Sequence, residues 1–119
     1  MGMYAEMLAS SMDAVSGAFS FMSNNYVESQ VIGWCKAMLG YPMTASGLLT
    51  SGCSASNLIA LAAARNTKAG FDLRNEGMQN AKKKMTLYCS DEAHSSLQKA
   101  VELLGFGNDA LRRIPVNDH

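Results

Sequence analysis

MTLYCSDEAHSSLQKAVELL, residues 85–104, changes its apolar period halfway along. Residues 85–89 (MTLYC) are mostly apolar or β-favouring and read as a strand. Further on, Leu97, Ala100, Val101 and Leu104 fall at i, i+3, i+4 and i+7, which is one stripe of a helix. Ser95 with Gln98 fits a capping box at the start of that helix, and Gly105 fits its stop. Residues 90–94 then form a loop that leaves a strand and enters a helix. Residues 111–116 (LRRIPV) read as the next strand. Pro115 is confined to its end or an unpaired side, because proline cannot donate to a ladder.

The same alternation recurs upstream. Residues 47–50 (GLLT) are a short apolar run that reads as a strand or extended segment, and 51–54 (SGCS) are a tight loop of small residues. Residues 55–65 are alanine-rich with Leu58, Ile59 and Leu61. This run is apolar on nearly every side, so a buried helix is expected. Residues 66–84, polar and interrupted by Gly70 and Gly77, read as a connection with a frayed helical turn. Lys82, Lys83 and Lys84 read either as a phosphate patch or, more plainly, as its solvated end before a strand. Strand, helix, strand, helix, strand favours a mainly parallel sheet with right-handed crossovers, an α/β fold class. Ligands of such sheets sit beyond the C-terminal ends of strands. The loops 51–54 and 90–94 are therefore expected to open on one edge.

Residues 1–40 read as helical. Tyr4, Met7, Leu8, Met12 and Val15 are spaced for a helix over 3–15. Residues 18–25 (AFSFMSNN) break that period and read as a loop. A second helix over 27–39 places Val27, Val31, Trp34, Cys35, Met38 and Leu39 on one side, and Gly40 and Pro42 end it in the usual order. A chain of 119 residues supports one modest core. One domain is expected: helical over 1–40, loop and buried helix over 47–66, and strand–helix–strand over 85–116.

Asp91-Glu92-Ala93-His94 spells a helicase box, but a motor also needs a phosphate-binding Gly-Lys-Ser/Thr loop. The chain contains no Gly-Lys pair. Ten basic and ten acidic residues balance, which gives no electrostatic reason to expect nucleic acid or an anionic membrane as partner. No apolar run approaches a membrane span, and the first fifteen residues do not look like a signal peptide. Cys35, Cys53 and Cys89 are odd in number and widely spaced. They fit neither a disulfide framework nor a zinc site, and a reducing cytoplasm suits them.

The two loops hold the candidate chemistry. Small residues at 51–54 let a ligand approach the backbone, and the first amides of the following helix have no intrahelical partner. With the helix dipole, these make an anion site suited to phosphate. Ser54 is either an added hydroxyl donor or simply the helix cap. His94 is either an ordinary surface residue or, beside such a site, an imidazole that stacks on a planar ring or acts as acid or base.

Three ordered segments together resemble the group II pyridoxal-phosphate-dependent decarboxylases, whose members act on aromatic amino acids, tyrosine, histidine and glutamate. SGCSASNLIALAAAR (51–65) resembles their phosphate loop and the Ala/Leu-rich helix ending in Ala-Arg. YCSDEAHSSLQKAVELLGFG (88–107) resembles their Ser-Asp, then Ala-His-Ser-Ser signature, and VESQVIGWCKAMLGYP (27–42) resembles the helix before the phosphate loop. The resemblance implies a partial large domain of the fold-type-I pyridoxal-phosphate enzymes. It implies that Cys53 and Ser54 bind the cofactor phosphate, Cys53 through its amide and Ser54 also through its hydroxyl. It implies that His94 stacks on the pyridine ring and helps orient the leaving carboxylate. Cys53 departs from the glycine usual at its position. The family's Schiff-base lysine has no match among Lys36, Lys68, Lys82, Lys83, Lys84 and Lys99. A fragment that is inactive alone is therefore expected, from a cytoplasmic amino-acid decarboxylase that is a homodimer at full length. Its substrate would be an L-amino acid, with the aromatic branch most similar. An aminotransferase-like relative and a non-catalytic interaction module are the alternatives.

Overall fold

The computed structural model describes residues 2–12 and 23–117. The chain divides into two compact units, Met1–Leu49 and Thr50–His119, and the boundary falls inside the 47–66 segment.

The first unit carries α1 (Gly2–Met12) and α2 (Ser23–Leu39). The loop expected over 18–25 lies partly outside the described residues, and its last three residues are the first turn of α2. Gly40 ends α2 as the sequence indicates. Its φ of +64° lies in the left-handed region, the Tyr41 amide donates to Lys36 O at 2.8 Å, and the Gly40 amide donates to Ala37 O at 3.4 Å. These are the two bonds of a Schellman stop. Lys36 Nζ adds bonds to Met43 O (3.0 Å) and Ala45 O (2.9 Å), folding the following loop back onto the negative end of the helix. A Cβ at Gly40 would meet no atom within 4 Å, so only backbone conformation resists substitution there. Gly40→Ala is expected to cost about 1 kcal/mol, read as a lower urea midpoint for the first unit.

Residues 47–50, read as a strand or extended segment, form no strand. The Leu49 amide donates to Glu28 Oε1 at 2.6 Å, and a Cβ at Gly47 would come within 3.1 Å of Ile32 Cγ2. A side-chain carboxylate on α2 thus takes a backbone donor that a neighbouring strand would otherwise have taken. Val27, Trp34, Met38 and Leu39 of the expected apolar stripe are exposed.

The second unit is built on α3 (Cys53–Lys68), β1 (Leu87–Ser90), α5 (Ser95–Leu103) and β2 (Leu111–Ile114). Between α3 and β1 lie the short α4 (Leu73–Glu76), capped by Asp72, and a 3-10 turn, Met78–Asn80. The two strands pair in parallel, Leu87 opposite Leu111 and Ser90 opposite Ile114, and α5 is the crossover a parallel pair requires. Pro115 falls just past β2, where its missing donor is harmless. Val101 and Ala100 are 0% and 2% exposed, and with Leu73 (8%) they are the apolar core among the described residues.

α5 ends as α2 does, with Gly105 at φ +77° and the Phe106 and Gly105 amides bonded to Val101 O and Glu102 O. Its start differs from the expected capping box. His94, not Ser95, is the N-cap: His94 Nδ1 accepts from the Ser96 amide at 3.1 Å. Nδ1 stands as many bonds from Cα as an asparagine or aspartate side-chain oxygen does, so the imidazole can reach the same amide. Gln98 bonds along the helix to Glu102 Oε1 instead. Hydrogen bonds from Asn108 and Gln98 hold the exposed Glu102 carboxyl below the usual glutamate range.

The helix over 55–65 was expected to be buried, and α3 has no buried residue. A helix that is apolar on every side needs cover on every side. Among the described residues α5 is the element packed most extensively against it, and it encloses no α3 residue fully. Among the described residues no helix is long and apolar enough to cross a membrane.

Candidate functional site

Two hydrogen bonds set the register of α3 on α5. Asn57 Nδ2 donates to Ser96 Oγ at 3.0 Å, and Arg65 Nη1 donates to Leu104 O at 2.7 Å. Asn57 and Arg65 are eight residues apart, as are Ser96 and Leu104, so the two helices run in the same direction. Their N-termini therefore lie at one end of the unit. This brings the loops 51–54 and 90–94 together as expected, although the first of them follows no paired strand.

The N-terminus of α3 is open. Gly52 is the N-cap residue in extended backbone (φ 166°, ψ 166°), and no side chain caps the helix. Ser54 lies inside the first turn, so it is not the helix cap. The first amides of this 16-residue helix are orphan donors at its positive end. Cys53 and Ser54 are exposed, and a Cβ at Gly52 would meet nothing within 4 Å.

Two residues that sequence reasoning passes over brace the loop. Thr50 Oγ1 donates to Gly52 O at 3.1 Å, and Ser56 Oγ lies 2.6 Å from Thr50 Oγ1 and 3.4 Å from Gly52 O. The readable signal is the hydroxyl at Ser56, four residues past the cap, where serine bonds back to the helix's first carbonyl.

The 90–94 loop is pinned by β2. The Asp91 amide extends the ladder to Ile114 O at 3.0 Å, Arg113 Nη1 holds Asp91 O at 3.1 Å, and the Ala93 amide closes a turn on Ser90 O at 3.1 Å. His94 follows on the exposed surface. Its Nδ1 lies 3.0 Å from Ser96 Oγ, and Ser96 is 4% exposed. Asn57 Nδ2 also lies 3.7 Å from Cys53 Sγ. A continuous path of polar contacts thus joins Cys53, Asn57, Ser96 and His94. All three cysteines are free thiols.

A cavity of about 440 Å³ lies elsewhere, at the N-terminal ends of both strands, lined in part by Lys83, Lys84, Thr86, Asn108, Ala110 and Arg112. No α-helix start and no histidine line it, so the loops remain the better site. Lys82, Lys83 and Lys84 are exposed. Among the described residues no three His, Cys, Asp or Glu side chains are grouped to hold a metal ion.

Residues 1–119 match the model of the pyridoxal-dependent decarboxylase conserved domain. The chain belongs to this pyridoxal-dependent decarboxylase family. It is 34% identical over 119 residues to an aromatic-L-amino-acid decarboxylase of Bacillus atrophaeus, covering 99% of this chain and 23% of that protein. The fold is that of solved relatives. Mouse CSAD in apo form superposes with a TM-score of 0.82 at 25% identity, over 97% of this chain and 24% of that one. Oryza sativa TDC, solved with PLP and tryptamine, superposes with a TM-score of 0.71 at 26% identity, over 97% of this chain and 26% of that one. The chain spans about a quarter of the length of these relatives. The second unit is accordingly a partial α/β fold of the pyridoxal-phosphate enzymes.

Proposed function

We propose that residues 1–119 are the first part of the cofactor-binding large domain of a pyridoxal-phosphate-dependent decarboxylase acting on an L-amino acid. The observation that carries this reading is the placement of an uncapped helix start and an exposed imidazole at the same end of two parallel helices. The donor set fits the cofactor. The amides of Cys53 and Ser54, with the Ser54 hydroxyl, hold the phosphate, while His94 presents a flat ring for stacking on the pyridine. The Cβ of Cys53 leaves its amide at the helix start, so cysteine in place of glycine is compatible with this role. When bound, the cofactor would supply the electron sink for the pair left on the amino acid's Cα as the bond to its carboxylate carbon breaks. His94 fixes the ring plane and orients the carboxylate that departs. The relatives favour the aromatic branch of substrates, and we assign the whole protein to a cytoplasmic homodimer.

Pyridoxal phosphate titrated into the purified chain, followed by cofactor fluorescence, tests the assignment. Ser54→Ala is expected to weaken binding about tenfold, the value of one hydrogen bond to a charged group, and His94→Ala by a similar factor. Saturable binding that ignores both substitutions would falsify the site.

A further inference from the structure

The path from Cys53 to His94 has a direction that can be worked out proton by proton. The Ser96 amide can only donate, so His94 Nδ1 accepts and carries no proton in the neutral ring. Ser96 Oγ, 3.0 Å from the same nitrogen, must then be the donor of that contact. Its lone pairs are left to accept from Asn57 Nδ2, which fixes the orientation of the Asn57 amide. The other proton of that amide is available to Cys53 Sγ. Ser96 is nearly inaccessible to water, so protein groups must satisfy its hydroxyl.

We propose that Asn57 and Ser96 are positioning residues for His94: the Ser96 hydroxyl, oriented by Asn57, adds to the Ser96 backbone amide in holding the ring as the Nε2–H tautomer, and couples its orientation to the phosphate loop through Cys53. The inference rests on the reading of His94 as the residue that meets the cofactor ring. Asn57 belongs to α3 and Ser96 to α5, so the helix that carries the phosphate donors also sets the imidazole. A bound phosphate and a stacked ring are then held in one rigid frame. Asn57 therefore has a function in this reading that its place on the helix surface does not suggest.

The decisive measurement is a two-bond proton–nitrogen correlation spectrum of the ¹⁵N-histidine-labelled chain, in a His119→Gln background that leaves one histidine. It is recorded above the histidine titration, without cofactor. The parent is expected to show one tautomer with the proton on Nε2. Asn57→Asp is isosteric but accepts where asparagine donates, so it draws the Ser96 hydroxyl away from Nδ1. The Ser96 backbone amide still donates to Nδ1, so Nε2–H should stay the main tautomer while a minor Nδ1–H population, absent from the parent, appears. Ser96→Ala should do the same, and Ser96→Thr should restore the parent spectrum. A parent ring protonated on Nδ1, or a tautomer indifferent to both Asn57→Asp and Ser96→Ala, overturns the proposal. Pyridoxal phosphate affinity is read separately, on Ser96→Ala against Ser96→Thr, with about a fivefold loss expected for alanine alone. Equal affinities for those two variants would overturn the coupling. A chain that binds no cofactor but keeps the Nε2–H tautomer and its response would overturn the cofactor reading and leave the network standing.

Discussion

Val101→Asp is expected to abolish the folded state of the second unit. Val101 is fully buried in the second half of α5, and only Ala100 and Leu73 join it in the apolar core among the described residues. A carboxylate placed there has no partner within the apolar cluster, and burying an unpaired charge costs several kcal/mol. A unit this small has about 5 kcal/mol or less to lose. Far-ultraviolet circular dichroism should show the loss of helix at room temperature. Val101→Ala, which only removes two methyl groups, should cost about 2 kcal/mol and leave a cooperative urea transition. Leu103→Asp on the same helix is the control: Leu103 is 76% exposed, so its substitution should shift stability by less than about 0.5 kcal/mol. A cooperative transition in Val101→Asp matching that of the Leu103 variant would remove α5 from the core.

The next largest effect is expected at Arg65. Its guanidinium reaches from α3 to Leu104 O, the carbonyl at the negative end of α5. Arg65→Ala strips that partly buried carbonyl of its charged donor and should destabilise the second unit by about 2 kcal/mol. Arg65 Nε is buried with no hydrogen-bond partner among the described residues. Arg65→Lys removes that orphan donor while keeping one charged donor, so it should cost roughly half as much as alanine. Urea denaturation of the three proteins measures both numbers. An alanine variant as stable as the parent would mean that the bond contributes nothing to the register of the helices.

These two helices are tied at both ends. Arg65 holds the C-terminal end of the pair and Asn57 the N-terminal end, with Ser96 and Leu104 as partners. Because the N-terminal tie runs on to His94, the packing of the unit and the geometry of the site share one contact. A change that rotates α3 about its axis would move the phosphate donors and the imidazole together.

Much of this was legible in local pattern. The period change between 85–89 and Leu97–Leu104 marked the strand and the helix of the second unit, because side-chain direction repeats every two residues in one and every 3.6 in the other. Gly40 and Gly105 marked two helix stops, because the left-handed backbone they adopt is cheap for glycine alone. The alternation of strands and helices put the loops of Cys53, Ser54 and His94 on one edge, and only the resemblance of three ordered segments gave those residues roles. Neither of the loops that hold them was decisive by itself.

Other features were decided by contacts between distant residues. Nothing near residues 47–50 shows that Glu28 takes the Leu49 amide and that the segment pairs with no strand. The composition of 55–65 demands burial, yet burial depends on what lies opposite, and here, among the described residues, α5 is the main cover and leaves none of them fully buried. Ser95 and Gln98 satisfy the capping pattern, but His94 reaches the Ser96 amide first. Asn57 reads as an ordinary polar residue on an apolar helix until Ser96, 39 residues away, is placed against it. The sequence by itself thus determined which segments are strand and helix, where the helices stop and which family the motifs resemble, since periodicity and backbone preference act over neighbouring residues. Only the tertiary structure decided the parallel register of α3 and α5, the cap of α5 and the path from Asn57 to His94, because a hydrogen bond depends on the position and direction of both its partners in space.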